Sequence, residues 1–91
     1  MKRIFELIPN NGRKSFYGKA KVIDNENGIV SLLSYNTIVC SIDTNKKEFI
    51  RHWNSNSMTT TAHINSFRSL YGFRPLTSAQ WKNLPVIPYN K

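Results

Sequence analysis

Apolar and polar positions alternate along the first half of the chain and switch to a helical period in the second. Arg3 to Ile8 is a short β-type run that stops at Pro9, and Asn10-Asn11-Gly12 supplies residues that tolerate positive φ. From Phe16 to Ile23, Phe16, Gly18, Ala20 and Val22 fall on one face while Tyr17, Lys19 and Lys21 fall on the other. Asp24-Asn25-Glu26-Asn27-Gly28 is the strongest turn signal, since Asn-Gly between alternating runs favours a hairpin. Ile29 to Leu33 returns, Ser34-Tyr35-Asn36 breaks, Thr37 to Ile42 forms the most β-prone stretch, and Asp43 to Lys47 turns again before Glu48 to Trp53. The expectation is an antiparallel meander of four or five strands.

After Trp53 the period changes. Ser57 to Thr61 offers several N-caps, Ile64, Phe67, Leu70 and Tyr71 recur at helical spacing, and Gly72 stands where a left-handed C-cap belongs. Thr77-Ser78-Ala79-Gln80 fits a capping box that opens a second helix, with Trp81 and Leu84 as its stripe and Pro85 as its stop. The pattern predicts helices near 59–71 and 77–84 packed on one face of the sheet, with the tail Val86 to Tyr89 extended against it. The fold class is therefore α+β, in one domain over residues 1–91. The expected core holds Ile4 or Phe5, Phe16 or Tyr17, Val22, Leu32 or Leu33, Ile38 or Val39, Phe67, Leu70 and Trp81.

Length limits that core. A chain of 91 residues buries roughly 60–65% of its unfolded surface. Five Phe, four Tyr and two Trp compensate, because large rings bury much area each. A lone Cys40 precludes an internal disulfide and fits a reducing, cytoplasmic setting. Glu6 and Pro9 interrupt the first apolar run, so neither a signal peptide nor a membrane span is expected.

Charge sets the functional expectation. The net charge is +8, and no acidic residue follows Glu48 although Arg51, Arg68, Arg74, Lys82 and Lys91 do. Such a field draws polyanions, so the expected partner is nucleic acid (DNA or RNA) or a nucleoprotein. The best candidate surface is the basic, aromatic segment Arg13, Lys14, Tyr17, Lys19 and Lys21, where cations contact phosphates while a base stacks on a ring. Its structural alternative is a strand whose lysines guard an open edge. Arg68, Arg74 and Lys82, around the helix pair, form a rival patch suited to a protein partner. A helix-turn-helix reading would aim Ser78, Gln80, Lys82 and Asn83 at a major groove, but the second helix is short for that.

Catalytic constellations are not expected. His52 and His63 are too few for a metal site, and Cys40 sits in an apolar run suited to a small core residue. Five scattered acids do not suit a metal-dependent nuclease, and the Thr59-Thr60-Thr61 run caps a helix more naturally than it binds an anion. Neither an enzymatic role nor a cofactor is read from the residues.

Three motifs, NGRKSFYGKA at 11–20, SYNTIV at 34–39, and Trp53 followed by Ser57 to Thr61, His63-Ile64 and Phe67, form an ordered series. The series resembles a family of small, uncharacterised domains of bacteriophages and bacterial mobile elements, over roughly residues 5 to 72. The resemblance implies a bacteriophage or mobile-element origin, and with it the cytoplasm of a bacterial host cell; an accessory role by binding without catalysis is the expectation from the residues. Its alternative role is a counter-defence, anti-CRISPR-like inhibitor that docks on a host nuclease complex. The family supplies no catalytic residues, and the motifs do not extend into the Arg74–Lys91 segment.

Overall fold

The computed structural model describes residues 3–9, 16 and 18–89. Five strands, β1 (Arg3–Glu6), β2 (Ala20–Asp24), β3 (Ile29–Ser34), β4 (Thr37–Asp43) and β5 (Glu48–Arg51), precede two helices, α1 (Met58–Leu70) and α2 (Ser78–Asn83). The sheet order is β1-β2-β3-β4-β5, antiparallel throughout. This is the α+β meander that the pattern predicts.

Cross-strand rows explain which residues are inside. Phe5, Val22, Leu32, Cys40 and Arg51 stand in one row, and Ile4, Ile23, Ser31, Ser41 and Ile50 in the next. Successive residues of a strand point to opposite faces, so the first row faces the helices and the second faces away. Ala20, Val22, Val30, Leu32, Cys40 and Ile42 of the helix-facing side are buried together with Leu7, Phe16, Val39, Ile64, Phe67 and Trp81. Val39 is the extra residue of a bulge where the β3–β4 register shifts, and its carbonyl accepts from the N–H groups of both His52 and Trp53.

Two core expectations and one strand boundary change. Ile4 and Phe5 belong to the outermost strand and are exposed, and Leu7 is buried in their place. Leu70 is also exposed. At 3.6 residues per turn it lies about 20° around α1 from the buried His63, so its exposure follows from its place as the last residue of the helix and not from the face it is on. The strand expected from Phe16 begins only at Ala20. A turn precedes it, closed by Lys19 N–H donating to the Phe16 carbonyl at 3.0 Å, with Gly18 at φ 76°.

The helix ends follow their capping residues. Ser57 accepts from Thr60 N–H to start α1. At its end Gly72, at φ 83°, donates to the Ser69 carbonyl and Phe73 donates to the Arg68 carbonyl, the two bonds of a Schellman motif. The Asn65 side chain then clasps Leu76, donating to its carbonyl and accepting from its N–H. In α2 the Thr77 hydroxyl and the Gln80 amide cap each other's backbone, as the capping box predicts. Trp81 anchors α2, buried and donating from Nε1 to the Ser55 carbonyl at 2.7 Å. Beyond Pro85 the tail runs beside β5, through a parallel Arg51–Val86 bridge and an Ile87 N–H bond to the Arg51 carbonyl. That covers the Arg51 end of the β5 edge. No helix among the described residues is long and apolar enough to cross a membrane.

Candidate nucleic-acid interface

Ser34 and Thr37 pair directly, so β3 and β4 are joined by only two residues, Tyr35 and Asn36. Tyr35 takes φ 56°, a conformation costing on the order of 1 kcal/mol for a bulky side chain. It is held there by its N–H bond to the Lys19 carbonyl at 2.7 Å. Tyr35 is 48% exposed. The Lys19 ammonium lies 5.8 Å from the ring centroid, within cation–π range. A phosphate-seeking cation and a stacking ring thus share one exposed corner.

Buried polar groups support that corner from beneath. His63, on the first turns of α1, packs edge-on against Phe16 and lies 5.7 Å from the Tyr35 ring. Ser34 Oγ is 2.8 Å from His63 Nδ1 and 3.4 Å from Thr60 Oγ1. His63 therefore reaches the Thr-rich turn through a strand serine. The effect is to lock the β3–β4 turn to the start of α1.

The sequence candidates divide. Arg13, Lys14 and Tyr17 lie outside the described residues. Lys19 and Lys21 are both exposed, as expected, but Lys19 belongs to the turn before β2, not to a strand face shared with Lys21. Lys21 stands opposite Glu6, whose carboxylate accepts from Gly18 N–H at 2.7 Å. Arg68 is half-buried and engaged: its guanidinium lies 4.5 Å from the Phe49 ring and 5.1 Å from that of Phe73, and Nε donates to the Arg74 carbonyl. Burial lowers its pKa, with the nearby Cys40 opposing. Arg74, in the α1–α2 loop, and Lys82, in the last turn of α2, remain exposed. Gln80 is committed to the capping box and α2 has six residues, which removes the groove-reading helix. Tyr35, the residue missed as a site, carried a signal: an aromatic in a two-residue turn where Gly or Asn is favoured.

Groups suited to chemistry are engaged elsewhere. Cys40 is fully buried on the helix-facing side, and burial raises its pKa well above that of a free thiol, with Arg68 opposing. No group of three or more His, Cys, Asp or Glu side chains could hold a metal ion among the described residues.

No curated protein and no solved structure matches the chain. A family model does match, and it spans residues 5–83, taking in all of the sheet from Phe5 onward and both helices. The chain belongs to this family of unknown function, DUF8033.

Proposed function

We propose that the protein acts by binding nucleic acid, without catalysis, through the corner built by Lys19 and Tyr35. The observation that carries this reading is the Lys19 ammonium over an exposed ring that the backbone holds at positive φ. Stacked bases gain about 1–3 kcal/mol each on such rings, and the net charge of +8 supplies the long-range attraction. A solvent-exposed turn favours single strands, whose bases are free to stack, over an intact duplex. The motif resemblance supports an accessory role for a bacteriophage or mobile element.

The test is a fluorescence-anisotropy titration with random single-stranded and duplex oligonucleotides at two salt concentrations. Salt-sensitive binding that favours the single strand is expected. Absence of binding at low salt overturns the proposal.

A further inference from the structure

The end of the sheet opposite Tyr35 holds an open cavity of about 450 Å³, lined by Ile42, Thr44, Lys47, Tyr71, Gly72 and Phe73. Its size lies in the range of small-molecule sites, and like them it is mainly apolar with a few polar groups. Two rigid turns make its walls. On one side, the Schellman motif that ends α1 fixes Gly72 and Phe73. On the other, Asp43 Oδ1 accepts from the N–H groups of Asn45 and Lys46, and Lys47 follows at φ 57°. Neither wall depends on a ligand for its shape.

The polar groups have a definite sense. Lys47 makes no ion pair or hydrogen bond from its ammonium among the described residues. Of the carboxylates on this side of the sheet, Asp43 accepts from backbone N–H groups and Asp24 pairs with Arg3 at 3.3 Å. The Tyr71 hydroxyl also has no hydrogen-bond partner among the described residues. Burial, and then the Asp24 charge, raise its pKa, so it stays a proton donor at neutral pH. An ammonium and a phenol both favour an anion, while Ile42, Phe73 and the Tyr71 ring favour an aromatic body.

We propose that this cavity binds a small aromatic anion, its ring against Phe73 and Ile42 and its charged group on Lys47. The site is separate from the Lys19–Tyr35 corner, because β4 runs from one end of the sheet to the other between them.

Anilinonaphthalene sulfonate and its uncharged analogue phenylnaphthylamine serve as probes, followed by fluorescence and by amide chemical shifts. Saturable sulfonate binding is expected, with shifts centred on Thr44, Lys47, Gly72 and Phe73. The uncharged probe should bind about tenfold more weakly, and Lys47→Gln should weaken the sulfonate by a similar factor. The substitution keeps the same backbone cost at positive φ, so a loss reports on charge alone. Shifts centred elsewhere, no saturation, or equal binding of the two probes would overturn the proposal, as would sulfonate binding unchanged in Lys47→Gln.

Discussion

Arg51 and Trp81 are joined twice: the guanidinium lies 4.8 Å from the Trp81 ring, and Nη1 donates to the Trp81 carbonyl at 3.0 Å. The same Nη1 also reaches the carbonyls of Lys82 and Leu84, and Nε donates to the Trp53 carbonyl. A buried cation thus caps the C-terminal end of α2, where unpaired carbonyls and the helix dipole both favour positive charge. Among the described residues its hydrogen-bond partners are all backbone oxygens.

Arg51→Ala should therefore leave several carbonyls without a donor. The expected loss is about 2–4 kcal/mol, a fall in Tm on the order of 10–25 °C. Arg51→Lys should restore only part, because an ammonium lacks the planar fork that reaches Trp53 and α2 together. Thermal melting checks both, and an unchanged Tm for Arg51→Ala would show the cap to be energetically idle.

On the other face of the sheet, Ser31 Oγ, Ser41 Oγ and His52 Nε2 form a chain with 2.8 Å steps, and His52 Nδ1 lies 2.6 Å from the Ile87 carbonyl. A carbonyl only accepts, so Nδ1 donates to Ile87; in the neutral imidazole Nε2 then accepts from Ser41, and Ser41 from Ser31. Tyr89 packs edge-on over the imidazole. His52→Ala should release the tail, seen as faster amide exchange at Ile87 while the β2–β3 amides keep their protection. Unchanged exchange at Ile87 would mean that the Arg51–Val86 bridge holds the tail alone.

Most of the fold was legible because short-range rules and long-range packing agree. Period-two alternation, the Thr77–Gln80 capping box and Gly72 each reported a local preference that the tertiary structure satisfies. The errors mark places where sheet position decides. Ile4 and Phe5 are as apolar as Val22, but they occupy the outermost strand, and no local pattern says which strand that is. The turn read over Asp24 to Gly28 is the β2–β3 hairpin loop, with Glu26 and Gly28 at positive φ and Asn25 N–H closing it onto the Ile29 carbonyl. The candidate site was less legible. Charge counting treats Arg51, Arg68 and Lys19 alike, yet one caps a helix, one is stacked between rings and one meets solvent. Only the register brings Lys19 beside Tyr35, sixteen positions away in the chain.

Cys40 gives a pH dependence of known sign. The folded state keeps its thiol protonated, since burial raises the pKa. The unfolded chain releases that proton above about pH 8.5, so it binds fewer protons than the folded state and stability falls as pH rises beyond that point. Tyr71 adds a second loss in the same direction above about pH 10. Urea unfolding between pH 7.5 and 10 should show a declining midpoint in the wild type and a flatter one in Cys40→Ala. The folded thiol should also resist an aromatic disulfide reagent that reacts once urea is added. Fast labelling of the folded protein would contradict its burial.

Stacking and charge separate cleanly at the proposed interface. Tyr35→Ala removes the ring and leaves every cation in place. It should weaken single-strand binding by about 1–3 kcal/mol, roughly five- to 150-fold, with the salt slope unchanged. Lys19→Gln removes one phosphate contact, so the salt slope should fall by about one unit with a uniform loss across sequences. Arg74→Gln with Lys82→Gln, at the exposed remainder of the rival patch, should leave the single-strand affinity within twofold at moderate salt, where distant charges are screened. Arg68 is omitted from that pair because its stacking against Phe49 and Phe73 ties it to stability. Melting curves of the three variants should overlay the parent, because Tyr35, Lys19, Arg74 and Lys82 are all exposed. If the Arg74/Lys82 pair abolishes binding while Tyr35→Ala does not, the interface lies at the helix pair and the Lys19–Tyr35 corner is an ornament of the turn.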